Sequence, residues 1–304
     1  KSRYILIITH VNPDPDSIGS ALALSNLFYE NKIKHKVFNV SADLPQNLDF
    51  IPRFEKITDQ LPAFFDLAIS LDCGTYKRLG FELDPSIPLI NFDHHKSNNN
   101  FGAVNIVDPM KSSTAELVFE FFKHNGLYIT KDSATALYVG IYDDTLAFSL
   151  GRCDEKTFEK INFLVECGAS PSEIANKLLR RDSLAKYRII PKVLDSLELF
   201  KEGEVASIVA YEEWFKQTGA HNRDCEDALD MIMSIAIVRI AIFVRVVNGV
   251  SRVSLRSKGQ IDVSKIAGEF GGGGHFNASG CTIETLDVEK AKEIVLKEIF
   301  EIYK

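Results

Sequence analysis

The sequence has few cysteines, no long apolar run and less positive than negative charge, and each shortage excludes something. Its five cysteines, Cys73, Cys153, Cys167, Cys225 and Cys281, are scattered, odd in number and form no CxxC pair. A disulfide framework or a thiolate zinc site is therefore not expected, and a reducing, cytoplasmic compartment is. The longest apolar stretch, residues 232–247, is broken by Ser234, Arg239 and Arg245, so no bilayer-spanning segment is expected. No secretion signal is read at the start, where Lys1-Ser2-Arg3 leads into a strand-like run; the lack of an initiator Met leaves a preceding segment open. Lys plus Arg number 35 against 42 Asp plus Glu, a formal charge of −7. That balance opposes wrapping of duplex DNA but allows a small anionic substrate in a locally cationic site. There is no internal repeat and no low-complexity tract. A chain of 304 residues, 45% hydrophobic and 25% charged, has the make-up of two globular domains.

What is present is an alternation of short apolar runs with helical patterns. Residues 4–9, 36–40, 65–71 and 87–92 read as strands. Ile18, Ala21, Leu22, Ser25 and Phe28 recur at helical spacing, and 112–124, 131–142, 155–166 and 171–179 read as helices. Continuous apolar runs suit buried parallel strands, so an α/β domain with a mainly parallel sheet flanked by helices is expected over residues 1–184. Residues 183–199 read as a helix, and 185–200 as a helical connector that could hinge the two domains. A smaller α/β domain is expected over 201–304. It contains a strand at 205–210, a helix at 225–234, a hairpin of 237–247 and 250–256 turning on Asn248-Gly249, and helices at 261–270 and 288–303.

Four polar clusters fall at or near element ends in the first half. They are His10-Val11-Asn12-Pro13-Asp14-Pro15-Asp16, then Asp72, then Asp93-His94-His95, then Asp143-Asp144. Each alone has a plain structural reading: Asp and Pro are common in turns, and Asp16 or Ser17 could cap the next helix. In open parallel sheets, however, residues beyond the carboxyl ends of the strands converge on one crevice. The converged set carries too many carboxylates for a pocket without cations. It fits two divalent cations with one carboxylate between them. Oxygen donors with some imidazole and no thiolate favour Mn²⁺, with Mg²⁺ as the alternative, over structural zinc.

These four clusters, with the run Gly271–Gly274, His275 and Asn277-Ala278-Ser279-Gly280, resemble the motifs of the DHH phosphoesterase superfamily and its associated C-terminal domain. The resemblance covers nearly the whole chain, and its size resembles the oligoribonuclease and 3′-phosphoadenosine 5′-phosphate phosphatase group. It implies a two-metal phosphoesterase that cuts short RNA to mononucleotides and dephosphorylates 3′-phosphoadenosine 5′-phosphate to AMP. It further implies that His10, Asp14 and Asp72 hold one ion. Asp16, Asp72, His94 and Asp144 would hold the other, with Asp72 bridging. His95 would lie near the scissile phosphate, and Asp93 would orient the histidines; Asp143 is given no role. The run Asp144-Thr145-Leu146-Ala147-Phe148-Ser149 departs from the nucleotide-cleaving pattern and is closer to family II inorganic pyrophosphatases. The basic C-terminal motif of those enzymes is missing. Pyrophosphatase activity, and cleavage of linear or cyclic dinucleotides, therefore stand as alternatives. A binding module without catalysis is disfavoured by the complete ligand set.

The second half reads as a phosphate-gripping surface. Gly272, Gly273 and Gly274 can bring backbone N–H groups close to an anion, His275 adds a hydrogen bond or charge, and Arg256 with Ser257 ends the hairpin. This domain is expected to hold a terminal nucleotide while the metals act on the next phosphoester. Duplex DNA and membranes are not expected partners, and a homodimer is left open.

Overall fold

A computed structural model describes residues 2–41, 44–149 and 153–303, so Lys1 of the opening run lies outside it. The chain divides into two units, residues 1–181 and 182–304. No helix among the described residues is long and apolar enough to cross a membrane.

The first unit is built on six parallel strands: β1 (Ile5–Thr9), β2 (His35–Phe38), β3 (Ile57–Thr58), β4 (Leu67–Leu71), β5 (Leu89–Asp93) and β6 (Val104–Val107), in the order β3-β2-β1-β4-β5-β6. The continuous apolar runs are explained by burial on both faces. Ile5 and Ile7 of β1 join one core with Ile69 and Leu71, while Leu6 and Ile8 join another with Ala68 and Phe38. Helices cover only the first of these faces. The second is covered by irregular chain, including Leu79, Leu83 and Phe101.

On the helical face lie α1 (Pro15–Glu30), α2 (Thr114–His124), α3 (Lys131–Asp144), α4 (Glu155–Glu166) and α5 (Pro171–Leu179). Asp14 caps α1 by accepting from Ser17 N, and Pro15 occupies the first turn, where a missing N–H costs nothing. The α1 segment Asp16 to Leu27 is buried all round because α1 is wedged among the sheet, α2 and α3. Two glycines permit this. A Cβ at Gly19 would lie 2.4 Å from the Ala136 carbonyl oxygen, and one at Gly140 would lie 2.7 Å from Ala115 Cβ and 2.8 Å from Asp16 Oδ1.

In the second unit, α6 (Leu184–Asp195) lies where a connector is expected. It is instead part of this unit's core: Ile189, Ile190 and Val193 pack with Ala206, Ile208 and Phe243. The rest of the stretch is an edge strand, β7 (Glu198–Phe200), in place of the predicted helix end. β7 opens a sheet that continues with β8 (Val205–Ala210), β9 (Ile240–Val247), β10 (Val250–Ser257), β11 (Gly273–His275) and β12 (Ala278–Ile283), in the order β11-β12-β10-β9-β8-β7. Between β8 and β12 run α7 (Glu212–Thr218), α8 (Asp227–Met233) and α9 (Val263–Glu269), and α10 (Val288–Ile302) closes the chain. α9 and α10 cover one face of the sheet, α6 and α8 the other.

The close approach at Gly140 gives a prediction. Gly140→Ala adds helix propensity yet forces α3 away from Asp16 and Ala115. Urea unfolding should show a net loss of about 1–3 kcal/mol. An unchanged or raised midpoint would contradict the packing described.

Candidate metal centre

The strand order places the site. The strand order reverses between the parallel neighbours β1 and β4, the chain first building outward to β2 and β3 and then from β4 to β6, and ligands of open α/β sheets bind beyond the strand ends at such a switch point. His10 follows β1, Asp72 follows β4, and Asp93 ends β5 with His94 and His95 after it. Asp14 and Asp16 come from the start of α1, and Asp144 from the end of α3. Residues from five segments thus meet at one end of the sheet.

Asp72 is at the centre. His10 Nε2 lies 3.4 Å from its Oδ2, while His94 Nε2 and His95 Nδ1 each lie 3.6 Å from its Oδ1. His10 Nε2 is also 3.3 Å from Asp14 Oδ2, and His94 Nε2 is 3.3 Å from Asp144 Oδ2. Three groups offer donor atoms all within 4.8 Å of one another: His10, Asp14 and Asp72; Asp72, His94 and His95; and Asp16, His94 and Asp144. The first two share Asp72. All the expected ligands are therefore assembled, and His95 is added to them. Asp143 is in none of the three groups.

Neighbouring groups hold these carboxylates in place. Asp72 has φ 60°, a left-handed conformation that costs a non-glycine residue about 1 kcal/mol or more and turns its side chain off the strand line. The hydroxyl of Thr114 donates to Asp72 Oδ1 at 2.8 Å. Backbone N–H groups of Thr114 and Ala115 donate to the two oxygens of Asp16 at 2.7 and 2.9 Å. The N-terminus of α2 is thus a fixed donor platform for two carboxylates. His95 Nδ1–H donates to Asp93 Oδ1 at 2.7 Å, and Asn98 donates to the other Asp93 oxygen. Thr114, Ala115 and Asn98 were not indicated by the motifs. The one available signal was Ser113-x-x-Glu116, a helix-start pattern whose Ser113 does accept from Glu116 N.

The electrostatics call for cations. Burial, then the charges of Asp72, Asp144 and Asp14, push the Asp16 carboxyl well above the usual range. Burial also raises Asp72, but His10, His95 and His94 outweigh it and hold that carboxyl low. For His10, burial favours the neutral ring, yet Asp14 and Asp72 carry it up to about 10. Hard oxygen donors mixed with imidazoles, without thiolate, fit Mn²⁺ or Mg²⁺.

Comparison with known proteins agrees with this geometry. Residues 4–141 match the N-terminal domain of the DHH family, and residues 205–303 match the DHHA1 domain. The chain is 31% identical over 301 residues to the bifunctional oligoribonuclease and PAP phosphatase NrnA of Thermus thermophilus, spanning 98% of this chain and 89% of that protein. It belongs to the DHH family. A Bacillus subtilis protein of the same name is 26% identical over 289 residues, covering 93% of this chain and 90% of that one. The crystal structure of an exopolyphosphatase-related protein from Bacteroides fragilis matches with a TM-score of 0.89 at 28% identity, over 99% of this chain and 94% of that one. DHH phosphoesterases depend on divalent cations, and the acid and imidazole groups of this DHH protein fit that dependence.

Two features of this DHH protein differ from expectation. The glycine run is not an open anion loop: Gly271 and Gly272 N–H donate to Gly268 and Ala267 at the end of α9, and Gly273–His275 forms β11. The glycines are required by close approach, since a Cβ at Gly272 would lie 2.2 Å from the Gly280 carbonyl oxygen and one at Gly274 would lie 2.5 Å from that of Ala278. Ser257 is likewise tied up, donating to the Ile261 carbonyl and accepting from Asn277. Register still aligns Arg256 with Ala278 and Ala278 with His275, so Arg256 and His275 share a sheet face across one small residue. After Asp144, the residues Leu146, Ala147 and Phe148 have φ of 47°, 55° and 64°, a left-handed turn anchored by Phe148 against Tyr138, Tyr142 and Phe158.

Cation binding should release protons. At pH 7 His10 carries a proton that must leave Nε2 before it can act as a ligand, and any proton on Asp16 must leave too. Calorimetric Mn²⁺ titrations in buffers of different ionisation enthalpy should show release of about one proton or more per protein. Affinity should rise with pH toward 10. Proton-neutral binding would contradict the assignment of His10.

Proposed function

We propose that this DHH protein is a two-metal phosphoesterase of the cytoplasm. It cleaves short oligoribonucleotides to mononucleotides and removes the 3′-phosphate of 3′-phosphoadenosine 5′-phosphate. The observation that carries the reading is Asp72, one carboxylate shared by two His/Asp groups, with a histidine–aspartate pair beside it. The names of the NrnA relatives supply the substrate class. Cys73, Cys167, Cys225 and Cys281 are free thiols, which suits a reducing compartment. The −7 charge disfavours duplex DNA, since a short substrate needs only local neutralisation.

In this reading His10, Asp14 and Asp72 hold one ion and Asp16, Asp72, His94 and Asp144 the other, Mn²⁺ being favoured over Mg²⁺. When bound, such ions supply Lewis-acid polarisation of the phosphoryl oxygens and a water acidic enough to act near neutral pH. The protein's groups do the rest. Asp93 accepts the Nδ1 proton of His95 and fixes the ring, leaving Nε2 to donate a proton to the leaving oxygen. Burial opposes the charged ring, but Asp93 and Asp72 raise its proton affinity, which suits a general acid. In the second unit, Arg256 and His275 grip the nucleotide end from their shared face. Ser257 and the glycines at 272–274 shape that face.

The test is a product assay with Mn²⁺ and, separately, a 5′-labelled RNA dinucleotide, 3′-phosphoadenosine 5′-phosphate and pyrophosphate. Turnover of the first two, lost by at least about 1,000-fold in Asp72→Ala and by about 100-fold in His95→Asn, is expected. Fast turnover of pyrophosphate alone would overturn the reading in favour of the signal in the Asp144-Thr145-Leu146 run.

A further inference from the structure

One cation at this site is not accounted for by the ligand set. Arg78 lies in the turn Tyr76–Leu79 that follows Asp72. The turn is pinned to the His10 loop: Val11 N donates to the Arg78 carbonyl at 2.9 Å, and Gly80, at φ 79°, leaves no room for a Cβ beside Val11 and Val40. The guanidinium reaches His10, with Nη2 2.7 Å from Nδ1. Among the described residues no carboxylate pairs with it. A guanidinium has five N–H donors and Arg78 is exposed, so most of them are left to solvent beside His10.

Support of His10 does not explain this residue. His10 Nδ1 already lies 2.8 Å from the Val11 carbonyl oxygen. A histidine that ligates through Nε2 carries its proton on Nδ1, and that proton goes to Val11 O. Arg78 then has no acceptor on the ring and must turn its donors elsewhere. Its side chain is exposed beside His10, at the edge of the carboxylate cluster.

We propose that Arg78 binds the phosphate under attack and favours terminal phosphomonoesters over internal phosphodiesters. The proposal rests on the phosphoesterase reading above. A monoester carries about −1.5 to −2 charge and three terminal oxygens. A diester carries a single charge and two such oxygens. A planar guanidinium donating two parallel bonds therefore gains more from the monoester, and Arg78 sets the balance between the two activities.

The experiment compares Arg78→Gln and Arg78→Lys with the unaltered Mn²⁺-loaded protein. It measures kcat/KM for 3′-phosphoadenosine 5′-phosphate and for an RNA dinucleotide, the Kd of inorganic phosphate by calorimetry, and Mn²⁺ binding. Arg78→Gln should lower kcat/KM on the monoester by about 30- to 100-fold and on the dinucleotide by less than about 10-fold. It should weaken phosphate by about 10-fold or more and leave Mn²⁺ affinity unchanged, with Arg78→Lys recovering part of each loss. No loss on either substrate would overturn the proposal. So would equal losses accompanied by weaker Mn²⁺ binding, because Arg78 would then serve His10. Should the unaltered protein turn over neither nucleotide while Arg78→Gln still weakens phosphate, the substrate reading fails and the phosphate contact stands. Unaltered phosphate affinity would remove the contact itself.

Discussion

The carboxylate of Asp72, buried and shared, is the constraint around which the first unit is organised. Its backbone is held in the left-handed region, its Oδ1 takes the Thr114 hydroxyl, and three imidazoles surround it. A buried anion of this kind is costly unless paired and hydrogen-bonded. Here the pairing comes from the ends of three adjacent strands, β1, β4 and β5, which only a parallel sheet brings to one edge.

The same constraint explains the packing of α1 against α3. Asp16 must lie in the first turn of α1, face the α2 N-terminus and approach Asp144 at the far end of α3. That requires the helices to cross closely, which Gly19 and Gly140 permit. The cost falls on Asp16, whose proton affinity is raised by burial and then by the crowd of neighbouring carboxylates. Divalent cations resolve that conflict.

Much of this arrangement was legible in the sequence because the candidate ligands sit in short linear clusters at element ends. His10 to Asp16 and Asp93 to His95 announce themselves, and the apolar runs before them fix where the strands end. Other parts were not legible, for physical reasons. The support from α2 acts across long separations: Thr114 bonds Asp72 and Asp16, which no local pattern links to it. The three-residue strands β7 and β11 are too short for any periodicity to show. Four glycines encode close chain approach as readily as an anion loop, and here Gly272 and Gly274 serve the former. That residues 183–199 hold a helix was readable, but not that its partner would be the second sheet. Arg78 carries no signal in the sequence; its meaning comes only from its contact with His10.

The central claim is that one carboxylate joins two cation sites. A crystal grown with Mn²⁺ and measured at the manganese absorption edge tests it most directly. The account predicts two anomalous peaks about 3.5–4 Å apart, each bonded to a different oxygen of Asp72, one also to His10 and Asp14, the other also to Asp16, His94 and Asp144. A single peak, or two peaks that Asp72 does not join, would contradict it.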